Sequence, residues 1–264
     1  MPFKRWLPFS ALVVGSLAPD FHYFLSLASD GHFRHFTHSK LGAFLFCLPV
    51  GLALLWIFQR LMKLPLISLA PEAHQQRLIR FAPAFPWGPA KRFLLILCAL
   101  LIGIFSHLAW DAFTHDGGFV VRNVPDLRAP ALEEWGTHRP LFNMLQHASS
   151  LLGMAFLMLW YWLWFKRTPP QPVPPHLRLK AGPRRWLIAV IFGIAGCVAL
   201  VDAYMASDHL ASRAIFAGTL AITFMSLVFI EILCFSLWWA KAHSSQQLAV
   251  SESAASPKPD GKAG

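Results

Sequence analysis

Ser106-His107-Leu108-Ala109-Trp110-Asp111-Ala112-Phe113-Thr114-His115-Asp116 closes an apolar run that begins at Phe93. The run is about the length of a bilayer-spanning helix. His107, Asp111 and His115 recur every fourth residue, so a helix stacks them on one face, a turn apart. Titratable groups inside a membrane helix are costly unless they meet a partner, an ion or a water-filled cavity. Imidazole and carboxylate on one face are also ordinary ligands for zinc and similar metals. The segment therefore reads as a membrane helix carrying a polar, metal-competent stripe.

Outward from it, the rest of the chain agrees. Of 264 residues, 56% are hydrophobic and 14% charged, where an ordinary soluble domain carries about 25% charged residues. Apolar runs of spanning length cover Phe93–His115, Met144–Phe165, Trp186–Tyr204 and Ala214–Ala240. A fifth, Leu41–Ile57, extends through Phe58 to Leu64. Trp160, Trp162, Trp164, Trp186, Trp238 and Trp239 lie near run ends, where membrane interfaces favour indole. The expected fold is all-α: a multi-pass transmembrane helical bundle of five spans plus an N-terminal helical or re-entrant segment. That segment, Leu7–Ala28, is broken by Gly15, Pro19 and Asp20. Asp20 and His22 argue against its being a cleaved signal peptide.

The net charge of +10 would suit nucleic acid, but Lys and Arg fall between the apolar runs, and no nucleic-acid partner is expected. Six lie in the loop from Arg60 to Arg92 and six from Lys166 to Arg185, against three from Asp116 to Pro140. The positive-inside rule places the two basic loops in the cytoplasm, and the C-terminus with them. The prolines of Thr168–Pro183 make a linker, a short amphipathic helix fits Ala73–Ile79, and polar Ser244–Gly264 reads as a disordered tail. Residues 1–243 form one membrane-embedded domain on this reading. Cys47, Cys98, Cys197 and Cys234 lie in apolar spans without CxxC spacing and read as packing residues.

This topology, drawn from Lys and Arg alone, brings most His and Asp to one membrane face, the outer one. Asp20, His35, His38, His107, Asp111, His115 and His147 are the candidate metal ligands. Zinc is the expected cofactor, since it takes imidazole and carboxylate and keeps one position for water in a catalytic site. Such an ion activates water and clamps the oxygens of a phosphate ester. Arg34 or Arg122 could hold an anionic substrate. Two other readings stand beside this one. The cluster could serve helix packing or the binding of a partner or ion. It could also join Glu231 in a proton path, although the cytoplasmic halves of the spans offer few polar residues.

Met1-Pro2-Phe3, Ser10 to Phe21 with Ala18-Pro19-Asp20, Thr37-His38-Ser39-Lys40-Leu41-Gly42, Ser106 to His115, and Gln146-His147-Ala148-Ser149-Ser150-Leu151-Leu152-Gly153 resemble the bacterial domain-of-unknown-function 4184 family. The resemblance implies a multi-pass protein of the bacterial inner membrane with no established activity. The Pro-Asp, Thr-His-Ser and His-x-x-x-Asp elements are also similar to inner-membrane metal-dependent hydrolases and, distantly, to the zinc-dependent phospholipase C and P1 nuclease fold. That similarity implies a phosphodiester-directed metal site with Asp20, His38, His107 and Asp111 as ligands, and a lipid-borne or envelope phosphoester as substrate. Two departures bear on it. Phe3 runs into Lys4-Arg5-Trp6 where relatives carry Ser-His-Pro, and His147 is followed four residues later by Leu151 rather than a carboxylate. Both remove ligands from a multinuclear centre.

Overall fold

A computed structural model describes residues 8–24, 31–134, 137–208 and 212–255. The described chain is helical almost throughout. Its strands, among the described residues, are one antiparallel pair, β1 (Pro130–Glu134) and β2 (Thr137–Pro140). Among the described residues, five helices are long and apolar enough to cross a membrane: Lys40–Leu69, Ala90–Asn123, Leu141–Arg167, Pro175–Ala206 and Ile215–His243. They coincide with the five apolar runs of the sequence.

The chain forms two compact units, Met1–Ile57 with Glu72–Pro172, and Phe58–Pro71 with Val173–Gly264. In the first, α1 (Phe9–Leu17), α5 (Leu48–Ile57) and α8 (Ala90–Thr114) pack together. Their contact is made by small residues at helical spacing. Ala11 and Gly15 face Ala99, Leu100 and Gly103, all buried, and Ala18 packs with Ala43, Cys47 and Ile104. A Cβ on Gly15 would lie 2.2 Å from the Leu100 carbonyl oxygen, and one on Gly103 would lie 2.2 Å from that of Leu12. The two backbones therefore touch, as small-residue interfaces in membranes permit. Leu55, Ile96 and Ile104 fill the remaining space with no exposed surface.

The N-terminal segment resolves as a broken helix. α1 has nine residues, then a 3-10 turn over Ala18–Asp20 leads into α2 (Phe21–Phe24). Nine residues rise about 14 Å, roughly half a bilayer core, so α1 packs against α8 without a spanning length of its own. Leu7 and residues 25–28 of the expected segment lie outside the described residues.

α3 (Gly31–Thr37) and α4 (Lys40–Gly42) follow, and the chain continues helically through α5 and α6 (Lys63–Leu69). Two π-helical stretches interrupt this path, Ala43–Cys47 and Phe58–Met62. Each contains the residue four before a proline, Leu45 before Pro49 and Leu61 before Pro65. Widening the turn there relieves the clash between the proline ring and that carbonyl. α7 (Glu72–Leu78) is the short helix expected near Ala73–Ile79. α9 (Phe119–Asn123) and the hairpin lead from α8 into α10 (Leu141–Arg167).

In the second unit, α11 (Ala181–Ala206) and α12 (Arg213–Ala255) pair along their lengths. The α11 stripe Ile191, Ala195, Ala199 and Ala203 is buried. The expected proline linker differs in one respect: Pro183 sits in the first turn of α11, where its missing N–H is not needed. Helix α12 also continues through residues 244–255, which the sequence assigned to the tail; residues 256–264 lie outside the described residues.

Candidate metal centre

The buried stripe of α8 runs Ile96, Ala99/Leu100, Gly103/Ile104. His107 and Asp111 continue it by helical periodicity, so the seam turns polar in the last two turns of the helix. Two breaks in the helical chain meet it there. One is the Ala18–Asp20 turn, where Pro19 interrupts the helix and presents Asp20. The other is the junction between α3 and α4, which presents His38.

This junction is pinned on both sides of His38. The Thr37 hydroxyl donates to the Arg34 carbonyl at 3.1 Å, and the Cys47 thiol donates to the Thr37 carbonyl at 3.3 Å. The Ser39 hydroxyl donates to the Phe36 carbonyl at 2.7 Å and accepts from the Gly42 amide at 3.0 Å, capping the next helix. A Cβ on Gly42 would lie 1.9 Å from the Phe36 carbonyl oxygen, so this tight return requires glycine. His38 Nδ1–H donates to the Arg34 carbonyl at 3.0 Å. A carbonyl only accepts, so Nδ1 carries the proton and Nε2 is left to face the site, the arrangement found in metal-bound imidazoles.

Four side chains converge. His38 Nε2 lies 3.3 Å from an Asp20 oxygen and 3.2 Å from Asp111 Oδ2. His107 Nε2 lies 3.6 Å from the other Asp20 oxygen and 3.3 Å from Asp111 Oδ2. Charge-assisted N–H···O bonds run about 2.7–2.9 Å, and neither Nε2 makes a hydrogen bond of acceptable geometry although both are buried. The observed separations match another pattern better. Ligands about 2.0–2.1 Å from a tetrahedral zinc sit roughly 3.3–3.4 Å from one another. One ligand atom from each of Asp20, His38 and His107 lies within 4.8 Å of the others, and Asp111 Oδ2 stands 3.2 and 3.3 Å from the two imidazole nitrogens. Asp20, His38 and His107 could together hold a metal ion.

Electrostatics favour proton or metal in the same place. Burial alone would depress His38, but the Asp111 and Asp20 carboxylates outweigh it and hold the imidazole up to about 9. Burial pushes Asp20 upward, and pairing with His38 and the His107 charge overcome it, leaving Asp20 below the usual carboxylate range. A metal entering this site displaces the His38 proton.

The remaining sequence candidates divide. His115 joins the cluster edge, with Nδ1 3.4 Å from Asp111 Oδ1, so Asp111 uses one oxygen for His38 and His107 and the other for His115. His35 is exposed on α3 and His147 is exposed on α10; neither is brought into the group. The reason at α10 is rotational. Gln146 Nε2 donates to His115 Nε2 at 3.5 Å, and the next residue on a helix points about 100° away. Gln146 was not singled out in the sequence. Neither was the role of His22, which is fully buried and donates from Nδ1 to the Pro19 carbonyl at 2.9 Å, bracing the turn that carries Asp20. The spacing of His22 from Pro19 was the available signal. Arg122 is exposed on α9.

No curated protein and no solved structure matches the chain. One family model does, over residues 1–237. That stretch holds every helix of the site, and the chain belongs to the family described as a domain of unknown function, DUF4184.

Proposed function

We propose that Asp20, His38, His107 and Asp111 hold one divalent ion, zinc by ligand type, and that the protein is a membrane-embedded metal-dependent hydrolase of phosphoesters. The observation that carries the reading is the set of four N···O separations of 3.2–3.6 Å around two imidazole nitrogens that make no hydrogen bond. Such an ion would activate water and polarise a phosphoryl oxygen. The chain's own residues do the rest. The Arg34 carbonyl fixes the His38 ring, the Pro19 turn aims Asp20, and α8 aligns His107 with Asp111. The basic loops at Arg60–Arg92 and Lys166–Arg185 support a site on the outer face of the bacterial inner membrane, with the C-terminus in the cytoplasm. There a lipid-borne or envelope phosphoester reaches it from the side.

The test is metal content of the detergent-solubilised protein beside a His107→Ala/Asp111→Ala double variant, followed by a phosphoesterase screen. Bound metal that vanishes in the variant, with turnover of a phosphoester by the loaded protein, supports the reading; metal-free protein after zinc reconstitution overturns it. A second reading is favoured by the elevated His38 pKa of about 9. On it, the cluster is an ion-paired latch joining the Asp20 turn, the α3–α4 junction and α8, with no catalysis. That reading expects the double variant to lose thermal stability while the wild type holds no metal.

A further inference from the structure

The second unit holds an acid with no partner among the described residues. Glu231 lies near the middle of the span Ile215–His243. Its Oε2 is buried, and the side chain makes no hydrogen bond or ion pair. The carboxyl lines a groove of about 480 Å³ between α11 and α12.

The register of the helix pair fixes where in the groove the acid sits. The Thr223 hydroxyl of α12 meets Asp202 of α11. The helices run antiparallel, so eight residues further from their connection Ile194 comes opposite Glu231. Seven residues beyond that, Leu187 comes opposite Trp238, with Ile191 and Phe235 between. Positions 187, 191 and 194, like 231, 235 and 238, share one helical face. The groove is therefore about 10 Å long. Glu231 closes its deep end, and Trp238 stands toward the His243 end of the span.

Three features decide what fits there. Apart from Glu231 and the Cys234 thiol, the lining is aliphatic and aromatic. An unpaired carboxylate in hydrocarbon is costly, and a cation placed against it removes that cost. The Phe235 and Trp238 rings stack at 6.0 Å and 28°, and Trp238 keeps 62% of its surface open. Ring faces of this kind attract the same sign of charge. Depth and size narrow the choice further. A small hydrated ion or a lipid ammonium stays with water at the interface, whereas a charge flanked by apolar surface enters the bilayer core. A partner helix would need a seam along the whole span. This groove covers two turns, and its volume lies within the range of about 300–1,000 Å³ typical of small-molecule sites.

We propose that the groove between α11 and α12 binds a lipophilic organic cation, with Glu231 as counter-ion and Phe235 and Trp238 as its aromatic wall. The proposal does not depend on the metal-site reading.

The experiment uses the full chain in non-ionic detergent at pH 7.5. Tetraphenylphosphonium is the probe, and tetraphenylborate, nearly the same shape with the opposite charge, is the control. Equilibrium dialysis measures both. The expected result is a single saturable phosphonium site in wild type and none for the borate. Glu231→Gln should weaken phosphonium binding by about tenfold or more. Trp238→Ala should weaken it by about threefold, and Asp202→Asn should leave it unchanged. Thermal unfolding of each variant is recorded first, and the comparison of the two ions on wild type needs no variant. A wild type without a saturable phosphonium site overturns the proposal. So does borate binding of equal strength, or undiminished phosphonium binding in a stably folded Glu231→Gln. An oligomer that depends on Glu231 and that phosphonium does not disperse, seen by light scattering, would assign the carboxyl to a basic group on a partner helix and overturn the proposal as well.

Discussion

Asp111 in the first unit and Glu231 and Asp202 in the second are all carboxylates set in apolar, span-length helices, and they meet different company. Asp111 has His38 and His107 on one oxygen and His115 on the other. Asp202 accepts one hydrogen bond from the Thr223 hydroxyl. Glu231 has a buried oxygen without a hydrogen bond and lines a groove between α11 and α12 with Leu187, Ile191, Ile194, Phe235 and Trp238. The difference lies in the backbone more than in the acid. A straight helix pair can bring to a carboxylate only what one facing helix offers at that height, as Thr223 shows. In the first unit two helix breaks end beside α8, and each delivers a ligand from a different direction. Convergence of broken helices on a straight one makes an intramembrane acid a candidate site.

The largest expected effect is at the acid itself. Asp111→Ala removes the oxygen that stands 3.2 and 3.3 Å from the two Nε2 atoms, so bound metal should fall below detection by elemental mass spectrometry. Glu231→Gln should leave metal content unchanged. Equal loss in both variants would erase the distinction drawn between the two units.

Next comes the seam that holds the breaks in place. Gly103→Ala puts a Cβ 2.2 Å from the Leu12 carbonyl oxygen and must push α1 from α8. Overpacking of this kind costs about 1–3 kcal/mol, and because α1 leads into the Asp20 turn, metal affinity should fall along with thermal stability. Gly193→Ala on α11 meets nothing within 4 Å. There the change should be neutral or stabilising by up to about 1 kcal/mol, from helix propensity alone. Thermal unfolding of both variants in one detergent checks the pair.

A smaller effect concerns pH in chelator. His38 is raised from 6.5 to about 9 in the folded protein. A raised pKa means that the folded state holds the proton more tightly, so this stabilisation is complete below pH 6.5 and is lost as pH rises through about 9. The unfolding temperature of metal-free protein should drop between pH 6.5 and 9.5, and His38→Gln should flatten that drop. A wild-type profile no steeper than that of His38→Gln would contradict the electrostatic account. Smallest of all, Thr223→Val removes the hydroxyl donor to Asp202, an exposed contact. Such a loss should cost no more than about 1 kcal/mol, with no change in metal.

Much of this could be read in the residues. The five spans followed from apolar runs, because a bilayer leaves few alternatives for such segments. His107 and Asp111 followed from helical spacing, which tertiary structure cannot alter. Asp20 and His38 followed from a topology that brings His and Asp to one face, with the family resemblance beside it, and the structure supplies their physical setting: Pro19 interrupts the helix before Asp20, and Thr37 and Ser39 bind the backbone on either side of His38. Misplacement arose where rotation about a helix axis decides the outcome. Gln146 and His147 are neighbours in sequence, and only the docking of α10 on α8 selects Gln146. The hairpin Pro130–Pro140 was equally silent, since it is short and its strands lack a clear alternation.

The central claim is that broken helices assemble a metal site on α8. Elemental mass spectrometry of the purified, zinc-reconstituted wild type beside Asp20→Ala tests it most directly, because Asp20 comes from the break and not from α8. The account predicts about one ion per chain in the wild type and a marked loss in Asp20→Ala. Full metal retention in Asp20→Ala, or no metal in the wild type, would contradict it.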